Sequence, residues 1–450
     1  MNQRKRIRNS NLAALFLLSV FGVLGWRLFS FIDRYSVNIL FWDQWAFYTP
    51  LFQHQSLWQI FSWQHGPHRQ GLGLIVTNFL ANWTSWNSRT DAFAVGVVLC
   101  LALVCAFFLK YHLFRSVTFI DVVIPFLFLT LFQYEALIVV PNLSHGVFPL
   151  LMIMLYCLGL LLKNPGVRYV VIIVLNFLLI YTGFGLFMGP LTIVLLFIDS
   201  YQNRYNRKTT TLSLIALFLA MASSLSFLVS YHFEPAIPNF GFSISYLPQY
   251  PLFISLTLAG FWGWRTMILG QPITIVAGTI WLVTLIAVLF FHGRRLIWQG
   301  VYANRVSLII TLLISYSLLF CLNTAIGRIP LGLDSAQASR YVPLIIPAYL
   351  ALFFHLLTLQ IAKRRQLILL AYLAISIVWV LPIPTGMVES RAFKYYTNKT
   401  NWKACYLRFE DIEKCNQLTD FRIYPVDDYL IDKMAYLKER HLNLFIDTAE

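Results

Sequence analysis

Uninterrupted apolar runs of membrane length recur along this chain, beginning with residues 11–32 (NLAALFLLSVFGVLGWRLFSFI) and 90–113. About 20 such residues cross the hydrocarbon core of a bilayer as a helix, and only helices or closed barrels satisfy their backbone hydrogen bonds there. The runs are continuous rather than alternating, which selects helices over a barrel. Composition agrees: 58% of the 450 residues are hydrophobic and 12% are charged, against about 25% charged in an ordinary soluble domain. The mean hydropathy is +0.67. The expectation is an all-α integral membrane protein.

The net charge of +15 raises nucleic acid as a partner, but its placement argues against one. Lys and Arg recur in short clusters between apolar runs: Arg4, Lys5, Arg6 and Arg8; Lys110 and Arg115; Lys163 and Arg168; Arg204, Arg207 and Lys208; Arg294, Arg295 and Arg305; Lys363, Arg364 and Arg365. Under the positive-inside rule these are cytoplasmic loops, and the basic excess is topology, with membrane lipid as the partner in contact. The N-terminal run is too long for a signal peptide and lacks a small-residue cleavage site, so it reads as a retained first helix. The chain is expected to be multi-pass, with its N-terminus cytoplasmic.

Read in order, the spans number roughly eleven. They include 11–32, 90–113, 119–133, 146–162 and 305–324, and the last ends near Pro382 to Pro384. A short interfacial helix over 70–86 is marked by Trp83 and Trp86, residues that favour the headgroup level. The fifth span meets YTGFGLFMGP, Tyr181 to Pro190. A break of that kind is tolerated at membrane depth only where it is buried in protein or lines a cavity. Residues 1–384 are expected as the membrane domain. Residues 385–450 hold most of the 19 acidic residues and read as a small, water-exposed, extracytoplasmic tail. Cys405 and Cys415 lie in that tail and can pair outside the cytoplasm, whereas Cys100, Cys105, Cys157 and Cys321 are small core residues.

The acids before the tail are sparse. Asp33, Asp43, Asp91, Glu135, Glu234 and Asp334 fall on the outer side, with Asp121 and Asp199 at inner helix ends. Asp43 lies between Trp42 and Trp45, and partial desolvation there makes a carboxylate a better base. Downstream, HGPHR (His65 to Arg69) offers two imidazoles and a guanidinium on a Gly-Pro turn. With Asp43 these could ligate a divalent metal, or His68 and Arg69 could bind a phosphate. Glu135 and His145 place an acid and an imidazole on the second outer loop. Arg328 and Arg340, with Tyr341 beside them, could clamp a phosphate, although Arg340 could also snorkel to the interface. Trp42, Trp45 and Trp63 could stack on sugar rings or anchor the interface. The chain has no GxxxxGKS, GxGxxG, HExxH or GxSxG motif, so a nucleotide-binding domain is not expected.

The order WDQW, HGPHR, QYEAL, glycine-rich break, then GR followed by ASRY resembles the bacterial polytopic glycosyltransferases of the GT-C superfamily. It is also similar in organisation to the phage-type glucosyltransferases that decorate O-antigen, a lipopolysaccharide component. The resemblance implies transfer of a sugar from a polyprenyl-phosphate-linked donor to a glycan or lipid acceptor of the cell envelope, on the outer face of the membrane. It makes Asp43 the base and matches His68 and Arg69 to a His-Arg pair, Glu135 to a second-loop carboxylate, and Arg328 and Arg340 to donor-binding arginines. His65 and Tyr341 fall within the same motifs. HGPHR departs from an H-N-E-H-R pattern by replacing Asn and Glu with Gly66 and Pro67, which removes one carboxylate and with it a metal requirement resting on that Glu. The rival readings are a flippase or transporter, and a polymerase of lipid-linked glycans.

Overall fold

A computed structural model describes residues 2–233, 241–359, 362–378 and 382–448. Glu234 lies outside the described residues. The described chain is all-α apart from a two-residue antiparallel ribbon, in which Gln64 pairs with Arg69 and His65 with His68. Among the described residues, eight helices are long and apolar enough to cross a membrane. The segments expected as the third, fifth and last crossings form shorter helices: Phe119–Gln133 and Pro165–Ile180, and Ala362–Val378. The protein is thus a multi-pass, all-α membrane protein.

Burial separates an inner from an outer set of spans. The span Ser339–Thr358 has 83% of its apolar window buried and Arg305–Leu331 has 61%, whereas Arg207–Phe227 has 17% and Gln271–Gln299 has 22%. The first two form the centre of the bundle, and the other two turn Phe218, Leu225, Val276 and Phe290 outward, as lipid-facing helices do. Ser317 of one central helix fastens it to the other, its hydroxyl donating to the Leu344 carbonyl at 2.9 Å. At one end, Lys110 and Asp121 form a buried ion pair at 2.6 Å. Neither charge could be left alone in so apolar a setting.

The glycine-rich break is buried in protein. The helix Pro165–Ile180 stops, a tight turn spans Gly183–Phe187, and a new helix runs from Met188 to Gln202. Two glycines make the turn possible. Gly183 has φ +51°, and a Cβ there would stand 2.0 Å from the Ser144 carbonyl; Gly71 has φ +52°, and its Cβ would stand 2.3 Å from Thr182 Oγ1. Three backbone segments, around Gly71, Ser144 and Gly183, therefore meet at distances no larger residue permits. Hydrogen bonds lock the junction: Ser144 Oγ donates to the Gln70 carbonyl at 2.6 Å and the Leu72 N–H donates to Thr182 Oγ1 at 3.3 Å.

The C-terminal segment folds as a packed unit. A helix over Pro382–Phe409 leads into shorter helices at Ile412–Thr419 and Asp428–Glu439. Leu430, Met434 and Leu437 recur at helical spacing and are buried, as are Trp402, Cys415 and Leu444, while Glu410, Asp411, Glu413 and Asp432 face outward. The acids thus mark one face of a packed unit, and the apolar stripe opposite them is the informative pattern. Cys405 and Cys415 are bonded, with Cα atoms 5.7 Å apart. The unit docks on the loop that follows the first helix: the Trp42 N–H donates to the Ile423 carbonyl at 2.7 Å, Asn38 Nδ2 donates to the Asn443 carbonyl at 2.8 Å, and the Thr49 and Tyr429 hydroxyls meet at 2.8 Å. Trp86, expected at the headgroup level, is buried beneath it against Phe52 and Tyr436, whereas Trp83 is exposed.

Candidate active site

A cavity of about 750 Å³ opens where residues 41–43, 65–68, 135–146 and 323–341 converge. Asp43, His65, His68, Glu135, His145, Arg328, Arg340 and Tyr341 all line it, although they come from four separate stretches of chain.

Local backbone explains why Asp43 reaches it. Trp42 holds φ +53°, a left-handed conformation that costs a bulky residue roughly 1 kcal/mol or more. The hydrogen bond from its N–H to the Ile423 carbonyl and the stacking of Phe41 on Phe421, 5.4 Å apart and 4° from parallel, hold the turn in place. The Asp43 side chain does not cap the short helix Gln44–Phe47 that follows, which leaves its carboxylate to the cavity. Trp45, in that helix, is fully buried against Phe52 and does not reach the cavity.

In the ribbon, successive side chains point to opposite faces, so His68 and Arg69 part company. His68 faces the cavity with its ring centroid 4.2 Å from that of Phe184 and 5.8 Å from that of His145. Its Nδ1 is buried without a partner. Burial, reinforced by the positive charge of His65 and Arg328, pushes its pKa down to about 3, so the imidazole is neutral at physiological pH. Arg69 points the other way. Its Nε and Nη2 donate to the Phe227 carbonyl at 3.1 and 2.9 Å, other bonds reach the carbonyls of Ser62 and Val229, and the guanidinium lies over the Tyr181 and Phe227 rings. Arg69, expected to bind a phosphate, is not among the residues lining the cavity. It caps the C-terminal end of the helix Arg207–Phe227, where unpaired carbonyls favour a cation.

Glu135 opens a π-helical turn, Glu135–Val139, and a second such turn spans Leu143–Val147 around His145. These widened turns are frequent at functional sites. The Glu135 N–H donates to Ser339 Oγ at 2.9 Å, and Glu135 Oε2 accepts the Arg340 N–H at 3.3 Å. Arg340 is within electrostatic reach of both Glu135 and Asp43. Arg328 ends the central helix Arg305–Arg328 and lines the same wall. His145 Nε2 lies 3.5 Å from Gln70 Nε2.

Asp33, Asp91 and Asp334 serve elsewhere. Asp91 is buried and accepts a hydrogen bond from Tyr48, Asp33 pairs with Arg89 at 2.7 Å on the surface, and Asp334 lines a neighbouring cavity with Arg265 and Arg391. Among the described residues no group of three or more His, Cys, Asp or Glu side chains is placed to hold a metal ion. Asp43, His65 and His68 do not form such a set.

Sequence reasoning missed the C-terminal contribution. Tyr395, Asp420, Phe421 and Arg422 line the cavity. Beneath it, Lys399 is buried, donates to the carbonyls of Ile138 and Val139 at 3.1 and 2.6 Å, and lies 4.7 Å over the Phe41 ring. Burial pushes its pKa down to about 7. One side chain thereby joins the Glu135 turn to the residue before the WDQW motif. No local pattern near residue 399 signals this; only the long-range fold brings it there.

No family model, curated protein or solved structure matches this chain.

Proposed function

We propose that the protein is a membrane glycosyltransferase that moves a sugar from a polyprenyl-phosphate carrier to a glycan or lipid acceptor of the cell envelope. The observation that carries the reading is the convergence of Asp43 and Glu135 with Arg328 and Arg340 on one cavity at the end of an apolar bundle. A carboxylate and two guanidinium groups around one space are what transfer from a lipid phosphate requires. The resemblance of WDQW, QYEAL and GR…ASRY to GT-C motifs supports the same assignment.

In this reading Asp43 accepts the proton of the acceptor hydroxyl as its oxygen bonds to the anomeric carbon. The bond from that carbon to the carrier phosphate breaks, and its electron pair leaves with the phosphate, which gains one negative charge. Arg328 and Arg340 stabilise that growing charge, a contribution that is largest where water is excluded. Glu135, with one oxygen taken by the Arg340 N–H, holds the arginine turn in position. His68, neutral and with Nδ1 free of protein partners, hydrogen-bonds a sugar hydroxyl, and Tyr341 flanks the phosphate site. The cavity faces outward from a bacterial inner membrane. The basic loops around Lys110, Arg295 and Arg364 belong to the far ends of the same helices, which suits a cytoplasmic position under the positive-inside rule.

The test is direct. Purified protein in sealed proteoliposomes is given a polyprenyl-phosphate hexose carrying a radiolabelled sugar, together with an envelope glycan extract. Label moving from the carrier to the glycan supports the reading; a carrier that stays intact while the glycan crosses the bilayer supports transport instead.

A further inference from the structure

The end of the bundle away from the candidate active site holds a second concave site that the transfer does not use. A groove of about 750 Å³ runs between the helices Gln271–Gln299, Val342–Thr358 and Ala362–Val378. Arg295, Arg364 and Arg365 line it, and among the described residues no acidic side chain does. Its walls are apolar, formed by Val288, Leu352, Leu356, Ile368 and Ile375, with Trp281 and Tyr372 beyond them. Trp281 and Arg295 sit on one helix, which makes the groove about 20 Å long at 1.5 Å per residue.

Three guanidinium groups gathered at an apolar boundary repel one another and require an anion. Among the described residues lining the groove, none supplies it. Arg295 lies 4.2 Å over the Phe291 ring, a contact that orients the group without neutralising it. Asp121, a buried carboxylate at this end, is already paired with Lys110. His355, also in the lining, is held by His292 at 3.0 Å, and His292 in turn by Ser307 at 2.8 Å, so this wall is fixed. The combination of a basic mouth and a long apolar trough matches one molecule class: an amphiphile with an anionic head.

We infer that this groove binds a single anionic phospholipid lengthwise, its phosphate on Arg295, Arg364 and Arg365 and an acyl chain along Val288, Leu356 and Ile368. A basic loop at a membrane surface attracts anionic lipid diffusely; a groove that also holds the chain binds it stoichiometrically. The full-length protein in detergent is titrated with phosphatidylglycerol or phosphatidylcholine, and bound lipid is counted by native mass spectrometry. One phosphatidylglycerol is expected to bind about 10-fold more tightly than phosphatidylcholine. The preference is expected to disappear in the combined Arg295→Gln, Arg364→Gln, Arg365→Gln variant. Leu356→Trp, which fills the trough and keeps every charge, is expected to lose the bound lipid, whereas Arg204→Gln with Arg207→Gln, on a different basic loop, keeps it. Equal binding of the two lipids, or retention of the preference in Leu356→Trp, overturns the proposal. Displacement of the lipid by inorganic phosphate alone also overturns it, since the chain would then contribute nothing.

Discussion

The backbone N–H of Arg340 donates to Glu135 Oε2 at 3.3 Å, across 205 residues of sequence. The neighbouring bond from the Glu135 N–H to Ser339 Oγ, at 2.9 Å, makes the link reciprocal. Two loops distant in sequence are thereby held in one register, and Arg340 keeps a fixed position relative to Glu135. Most of the account's consequences follow from this clasp and the contacts that brace it.

Ser339→Ala removes one half of the clasp without changing a charge. A buried N–H left unpaired costs about 1–3 kcal/mol. The variant is expected to raise KM for the lipid-linked donor several-fold and to shift kcat little, because the arginine wall loosens while Asp43 stays in place. Steady-state kinetics with the donor varied checks this, and a fall in kcat at constant KM would place the clasp in the chemistry instead.

Arg69 is expected to be structural. Replacing it with Gln removes the partner of the Phe227 and Val229 carbonyls at the end of the helix Arg207–Phe227 and of the Ser62 carbonyl at the end of Leu57–Ser62. Loss of charge-assisted bonds of this kind costs about 1.5–3 kcal/mol. Lys is not expected to rescue it, since one ammonium cannot span carbonyls that a forked guanidinium reaches. Thermal unfolding in nanodiscs is the readout: a lowered Tm with donor KM unchanged in the folded fraction is expected, and a raised KM at normal Tm would restore Arg69 to donor binding.

His68 gives a pH dependence with a definite sign. Its pKa is lowered to about 3 by burial, against about 6.5 in the unfolded chain. Below pH 6.5 the unfolded state takes up a proton that the folded state refuses, so His68 costs stability increasingly as pH falls from 6.5 toward 3. Relative to His68→Asn, the wild type is expected to lose Tm across that window and to match it in slope above pH 7. Parallel melting curves from pH 4 to pH 8 decide the matter, and a constant difference would mean that His68 titrates normally.

The C-terminal unit is expected to be needed for the site itself. Phe421→Ala removes the stack on Phe41 that braces the Trp42 turn, and aromatic pairs contribute about 0.5–1.5 kcal/mol beyond their buried area. Activity is expected to fall by at least several-fold while insertion and the bundle's Tm are retained. Unchanged activity would show that Asp43 holds its place without the tail.

The sequence was most legible where the physics is local. Spans such as Ser88–Phe114 and Arg305–Arg328 declare themselves through apolar runs, and HGPHR reads correctly as a turn because Gly66 and Pro67 leave little else. What escaped was set by distant contacts or by strand alternation. His68 and Arg69 are adjacent, yet a two-residue ribbon sends one into the cavity and the other to a helix end. Trp42 and Trp45 look equivalent around Asp43, but a left-handed turn brings Trp42 to the cavity and buries Trp45. The tail's acids drew the eye from Leu430, Met434 and Leu437, the apolar stripe by which it packs. Lys399, with no motif around it, is visible only once the chain is folded.

The central claim is that the Asp43 carboxylate takes the acceptor's proton, and Asp43→Asn tests it most directly because Asn keeps the shape and loses the base. Transfer of labelled sugar from polyprenyl phosphate is measured for both proteins in nanodiscs after equal insertion and equal Tm are established. A drop of about 100-fold or more in kcat, with donor binding retained, is the expected result. A rate within a few-fold of wild type would remove Asp43 from the chemistry and the mechanism with it.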